Sequence, residues 1–168
     1  MSARSPFLAS WSTANKIHDE NDPIGRVKHL IGGKVKQNFE IPERKGGWVN
    51  TCAIRMSYVL NYTGQTIPYI TGRTVSGSDG KWYFFRVKDV IDWLIRQWGK
   101  PDEIVNYPVF DNKSLLNKRG LILFEIRGWS DSAGHATFWN GFTCSDHCYF
   151  NEEGKWYTTT KANFWELP

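Results

Sequence analysis

Apolar positions recur at helical spacing in the N-terminal part of the chain and crowd into short unbroken runs in the C-terminal part. Ser5-Pro6 reads as an N-cap followed by proline at the first helical position, with Phe7, Leu8, Trp11 and Ala14 as the apolar stripe. Asp22-Pro23 repeats this start signal; Ile24, Val27, Leu30 and Ile31 form its stripe and Gly32-Gly33 its stop. Residues 34–47 are polar, carry Pro42 and Gly46-Gly47, and are expected to form a long loop. The next helix starts at Cys52, capped by Asn50 or Thr51, with Ala53, Met56 and Leu60 on one face and Gly64 at its end. Residues 65–81, with Gly72, Gly77 and Gly80, read as a turn-rich excursion over the surface. Val87, Val90, Ile91, Leu94, Ile95 and Trp98 then make the clearest amphipathic helix, closed by Gly99-Lys100-Pro101.

After that helix the period changes. Leu121-Ile122-Leu123-Phe124-Glu125-Ile126 lacks alternation and reads as a buried strand. Residues 128–134 are expected to be a loop and 135–143 a second strand. Cys144 to Cys148 should turn the chain into a third short strand through Tyr149-Phe150, and 162–167 should close the sheet. Helices first and an antiparallel sheet second is an α+β arrangement, with N-terminal helices packed on a C-terminal sheet. The 168 residues fit a single domain, 1–168, large enough to bury a core.

Composition narrows the class. An apolar fraction of 40% with nine tryptophans argues against disorder, and 15% aromatics suit a core or a groove that holds sugars or peptides. The net charge of +4 is spread over scattered Lys and Arg, which does not point to nucleic acid and fits an anionic polymer such as a bacterial cell wall. The N-terminus has no apolar signal region, and no run approaches transmembrane length, so neither leader-directed export nor membrane insertion is expected. Such a chain would stay in the cytoplasm, whereas a short-loop disulfide between Cys144 and Cys148 would need an oxidising compartment. Movement of the whole protein without a cleaved leader reconciles the two.

Cys52 and His135 are the candidate chemistry. A helix N-terminus favours thiolate over thiol, and an imidazole can take the proton. The plainer reading of Cys52 is a buried small hydrophobe. Among four histidines, His18 and His29 look like surface residues and His147 lies in the short cysteine loop. His135 opens a strand after a Ser/Gly-rich loop and shares a face with Thr137 and Trp139, while Ala136, Phe138 and Asn140 share the other. Asp146 comes beside His135 if the chain folds back through the Cys144 to Cys148 turn, where it could fix the imidazole; it also reads as an ordinary turn aspartate. The natural first oxyanion donor is the Cys52 amide. Cys144, His147 and Cys148 with His135 or Cys52 could instead be assembled around zinc, although the spacing matches no finger or ribbon.

Taken together, Cys52-Ala53-Ile54-Arg55-Met56-Ser57, Gly134-His135-Ala136-Thr137-Phe138-Trp139-Asn140-Gly141 and Cys144-Ser145-Asp146-His147-Cys148 resemble the type VI secretion amidase effector family 4. These are peptidoglycan amidases of the NlpC/P60, papain-like class. The resemblance extends to Leu30-Ile31-Gly32-Gly33-Lys34-Val35, Tyr83-Phe84-Phe85-Arg86-Val87 and Trp165-Glu166-Leu167-Pro168. It implies Cys52 as nucleophile, His135 as base, Asp146 as third triad member and a Cys144–Cys148 disulfide, with no metal or organic cofactor. It also implies cleavage between γ-D-glutamate and meso-diaminopimelate in stem peptides. Injection by a type VI secretion tube component would deliver the protein into the target periplasm, and an immunity protein would block the cleft in the producer. Two rivals use the same residues differently. One is a Cys-His-Asp deamidase or transglutaminase acting on a protein. The other is a non-catalytic cell-wall binding module, in which Cys52→Ala would leave every activity intact.

Overall fold

Turn chemistry and hydrophobic spacing set most of the helices. The computed structural model describes residues 2–107, 113–128 and 134–168. Helix α1 (Phe7–Ile17) begins one residue later than Ser5-Pro6 implies: Pro6 is the N-cap, and the Ser5 hydroxyl bonds Thr63 instead. Its buried stripe is Phe7, Ser10, Ala14 and Ile17, which leaves Leu8 facing solvent. Helix α2 (Pro23–Ile31) starts as expected, with proline at its start and the Asp22 carboxylate accepting from the Gly25 amide.

Residues 34–47 are not a loop. The chain turns at Gly32 and Gly33 and resumes at once as α3 (Gly33–Glu40), followed by a 3-10 turn at Glu43–Lys45. Val35 and Phe39 are its buried residues. Two apolar positions in a short polar segment give too weak a period to read, and packing against neighbours makes the helix. Gly33 is required by a close approach: a Cβ there would lie 2.6 Å from the Gly77 carbonyl carbon.

Helix α4 (Cys52–Tyr62) is buried almost all round, from Cys52 to Asn61 with Arg55 as the exception, which marks a core helix. The expected surface excursion at 65–81 is partly internal. Ile67 and Thr74 are buried, and β1 (Thr74–Ser76) pairs antiparallel with β2 (Trp82–Phe84) across the Gly77 to Gly80 turn. Helix α5 (Val87–Trp98) follows as predicted.

Strands β3 (Glu103–Asn106), β4 (Gly120–Arg127), β5 (Gly134–Trp139) and β6 (Thr158–Glu166) form an antiparallel sheet in the order β3-β6-β4-β5. Strand β3 has no sequence signal because Val105 is its one buried residue. In β4, Leu121 and Leu123 join the helix-side core with Ala136, Phe138 and Trp165. Ile122, Phe124 and Ile126 join a second core with Trp139, Tyr157 and Phe164. Both faces are covered, which is why the run does not alternate. Strand β5 ends at Trp139 rather than at 143, because the Asn140 side chain accepts from the Phe142 and Thr143 amides and forms a turn. No strand forms at Tyr149-Phe150. The return is a single bridge between Trp139 and Cys144, and the Tyr149 and Phe150 rings pack edge-on against Phe124. The loop expected across 128–134 has residues 129–133 outside the described residues. The architecture is α+β, helices N-terminal and antiparallel sheet C-terminal. Among the described residues, no helix is long and apolar enough to cross a membrane.

Candidate active site

Among the described strands, β5 is the last of the sheet, and an edge strand leaves alternate backbone groups without a strand partner. The start of α4 meets that edge. The Ala136 N–H donates to Cys52 Sγ at 2.8 Å, and the thiol faces the Ala136 carbonyl at 3.3 Å. The sulfur thus stands where a neighbouring strand would. Cys52 is free and 2% exposed, packed with the helix-side core rather than standing open in a cleft.

One residue earlier, His135 points to the other face of β5. The position before it must be glycine, since a Cβ on Gly134 would lie 2.3 Å from the Phe124 carbonyl oxygen. The His135 ring is buried, with Tyr149 edge-on at 4.8 Å between centroids. Its Nε2 lies 3.1 Å from Asp146 Oδ1 and 3.0 Å from Oδ2. Cys52, bonded to the next residue of the strand, lies close enough to act on the ring's charge. Burial opposes imidazolium. Cys52 and the Asp146 carboxylate beside the ring, with the hydrogen bond to Asp146, outweigh it and raise the pKa above 6.5. The ring therefore holds its proton at neutral pH.

Asp146 is no ordinary turn aspartate, for its side chain is only 2% exposed. It accepts from His135 Nε2, from the Thr137 hydroxyl, from the His147 amide at 2.6 Å and from Arg55 at 3.0 Å. Burial favours the neutral acid, but the His135 charge and hydrogen bond, Arg55 and Thr137 hold the carboxyl well below the usual carboxylate range. The chain delivers it there through the Trp139–Cys144 bridge and the Ser145 amide, which donates to the Phe138 carbonyl at 2.9 Å. A disulfide then closes the turn, Cys144 to Cys148, with Cα atoms 5.4 Å apart. Bonded to each other, those two sulfurs are not available as zinc thiolates.

Three details of the surroundings depart from the sequence reading or were not seen in it. Arg55, one turn after Cys52, was legible only as a lone cation in a helix that is otherwise apolar around it. The Cys52 N–H, expected to serve an oxyanion, donates instead to Asn50 Oδ1 at 2.8 Å. His18, expected on the surface, buries its Nδ1 without a hydrogen-bond partner among the described residues; burial, then Arg55, lowers its pKa. His29 is exposed as expected, and His147 in the cysteine loop is exposed too.

The chain as a whole resembles proteins of known structure over nearly its full length. A family model for the type VI secretion system amidase effector protein 4 matches residues 48–165. The type VI effector Tae4 from Enterobacter cloacae is 40% identical, with 100% of both chains covered and a TM-score of 0.83. The Tae4–Tai4 effector–immunity complex from the same species gives 40% identity over 98% of this chain and 99% of that one, at a TM-score of 0.84. The corresponding complex from Salmonella Typhimurium gives 38% identity, 98% and 99% coverage and a TM-score of 0.80. A search of curated protein sequences finds no match. Fold, motif and identity converge: the chain belongs to the type VI secretion amidase effector family 4, antibacterial peptidoglycan amidases with the NlpC/P60, papain-like α+β fold.

Proposed function

We propose that residues 1–168 act as one cysteine amidase domain that hydrolyses the γ-D-glutamyl–meso-diaminopimelate bond of peptidoglycan stem peptides. The observation that carries this reading is a sulfur at a helix start, bonded to the edge of β5 and beside a buried imidazole that an ionised carboxylate holds from behind. Cys52 attacks the amide carbonyl, and His135 gives its proton to the leaving amine as the C–N bond breaks. Water then attacks the thioester, its proton passing to His135, and the freed carboxyl product restores the sulfur. Asp146 orients the ring throughout. For the Cys52 amide to hold the developing oxyanion, Asn50 has to release it. None of these steps calls for a metal or organic cofactor.

The Tae4–Tai4 complexes support a cognate periplasmic immunity protein that blocks the site in the producer. A type VI secretion tube component would carry the protein out, and its place of action would be the periplasm of the target bacterium. The test is digestion of diaminopimelate-type sacculi with wild type and Cys52→Ser, the released fragments being identified by mass. New γ-D-glutamyl ends from wild type alone are expected. Cleavage by Cys52→Ser at the wild-type rate, or fragments from another bond, would overturn the reading.

A further inference from the structure

We infer that Arg55 is a positioning residue of the amidase reaction, sharing Asp146 with His135 and so setting how tightly the imidazole holds its proton. The inference rests on the roles proposed above for Cys52, His135 and Asp146. The geometry is specific. An Arg55 guanidinium nitrogen and His135 Nε2 each lie 3.0 Å from the same carboxylate oxygen, Oδ2. The two cations are therefore no more than about 6 Å apart and compete for one carboxylate oxygen in a buried site. Arg55 Nε also donates to Thr51 Oγ1 at 2.9 Å, so the planar fork is fixed at both ends. Its side chain is 14% exposed, and its partner lies 91 residues away in sequence. Arg55 thus ties the helix that carries the sulfur to the disulfide loop that carries the acid.

Charge balance says why this matters. With the proton on His135, two positive groups, His135 and Arg55, share the one Asp146 carboxylate. Without Arg55 the carboxylate faces His135 alone, the imidazolium is held harder, and it becomes a poorer acid toward the leaving amine. Among the described residues, few other groups face the ring from neighbouring elements. The Tyr149 phenol packs on it, the His147 amide bonds Asp146, and His18 at the end of α1 feels Arg55, Asp146 and His147. None of these supplies a second fixed cation at Oδ2. A small cavity between α1, α4 and β5, lined by Ala14, Ile17, Met56 and Thr137, lies beside the pair and gives a replacement side chain room.

The experiment separates charge from tethering. Arg55→Gln keeps a hydrogen-bond donor for Asp146 and removes the charge; Arg55→Lys keeps the charge and loses the fork. Sacculus turnover is followed against pH for each, together with alkylation of Cys52 by iodoacetate, whose anion is drawn to the imidazolium. For Arg55→Gln the alkaline inflection of both curves should move up by roughly one pH unit. Turnover at neutral pH should fall about 10-fold, part of what a general acid contributes. Arg55→Lys should keep the wild-type inflection. Adding Arg55→Gln to Asp146→Asn should change little further, since Arg55 works through Asp146. A wild-type inflection in Arg55→Gln would leave Arg55 a mere tether, and full additivity with Asp146→Asn would mean that it does not work through Asp146; either result overturns the assignment. Cys52→Ser, run alongside, tells the two failures apart, because only the loss of the amidase reading would leave that variant active.

Discussion

Cys52 reaches His135 from a helix packed into the core, whereas Asp146 reaches it from a turn without regular structure. On the first side, Ala53, Ile54, Met56, Val59 and Leu60 are all buried, and many dispersion contacts fix the start of α4. On the second, position rests on one bridge, one disulfide and four polar contacts at a single carboxylate. The core side is redundant, so a single change there loosens the fold before it misplaces the sulfur. The loop side has few bonds, each of which bears on the His135 proton. Substitutions on the helix side should therefore read out mainly as stability, and those on the loop side mainly as rate.

The reacting pair itself must lie outside this division. Cys52→Ser and His135→Ala should each lower turnover by roughly 10⁶-fold, and the double variant should be no worse, since the two act as one unit. Serine is the better probe than alanine. Alanine would leave the Ala136 N–H without its sulfur partner in a buried place, at about 1–3 kcal/mol, and would blur rate with stability. A double variant much slower than either single one would mean the pair is not a unit.

Asp146→Asn is the next largest effect and the sharpest test of the loop side. The orienting hydrogen bond survives and the charge does not, so turnover should fall by up to about 10⁴-fold and stay above the Cys52→Ser background. The sign of the pH effect is fixed by what raises the His135 pKa. Removing the Asp146 charge lets that pKa fall, and the alkaline limb of kcat/KM moves to lower pH, opposite to Arg55→Gln. Stability follows the same linkage. The Asp146 contribution is present above 3.8 and lost as pH falls through its depressed folded value. The His135 contribution is present below 6.5 and lost as pH rises through its raised one. The variant should lose the wild-type plateau between them in a melting series against pH.

The two sides also differed in how much of them the sequence revealed. Helix α4 announced itself by a cap, an apolar stripe and a glycine stop, because each is a local signal. His135 could be placed on its face of β5 from alternation alone. The return of Asp146 to that face depended on a turn made by Asn140 and on a one-residue bridge at Cys144, neither of which has a periodicity. Helix α3 and β3 stayed hidden for a related reason: Val35, Phe39 and Val105 are too few to make a pattern, and tertiary contacts decide them. Arg55 was visible as a residue but not as a partner, since its carboxylate lies 91 positions away.

Opening the disulfide probes the loop side more gently. The bridge closes a very short loop, so its chain-entropy contribution is about 2 kcal/mol at most, modest for a domain of this size. Asp146 lies inside it and should loosen when it opens, and the His135 orientation with it. Cys144→Ser/Cys148→Ser should therefore lose a larger share of turnover than of melting temperature. In the oxidised protein, Cys52 should be the one thiol that alkylates. A variant that melts early yet turns over normally would reverse the comparison.

The smallest effect is expected on the helix side, at Asn50. Its Oδ1 holds the Cys52 amide, a polar contact at the start of an otherwise apolar support. Asn50→Ala should cost about 1 kcal/mol, the usual worth of a lost cap-type hydrogen bond. For a chain of this length that is a fall of about 2–4 °C in Tm. Turnover should not drop, because the freed amide is the donor that an oxyanion needs and α4 is still fixed by its core contacts. The rate of sacculus digestion and the melting temperature are measured on one preparation. If turnover instead drops by roughly an order of magnitude while Tm hardly moves, Asn50 belongs to the chemistry, and the helix side is no more insulated from the reaction than the loop.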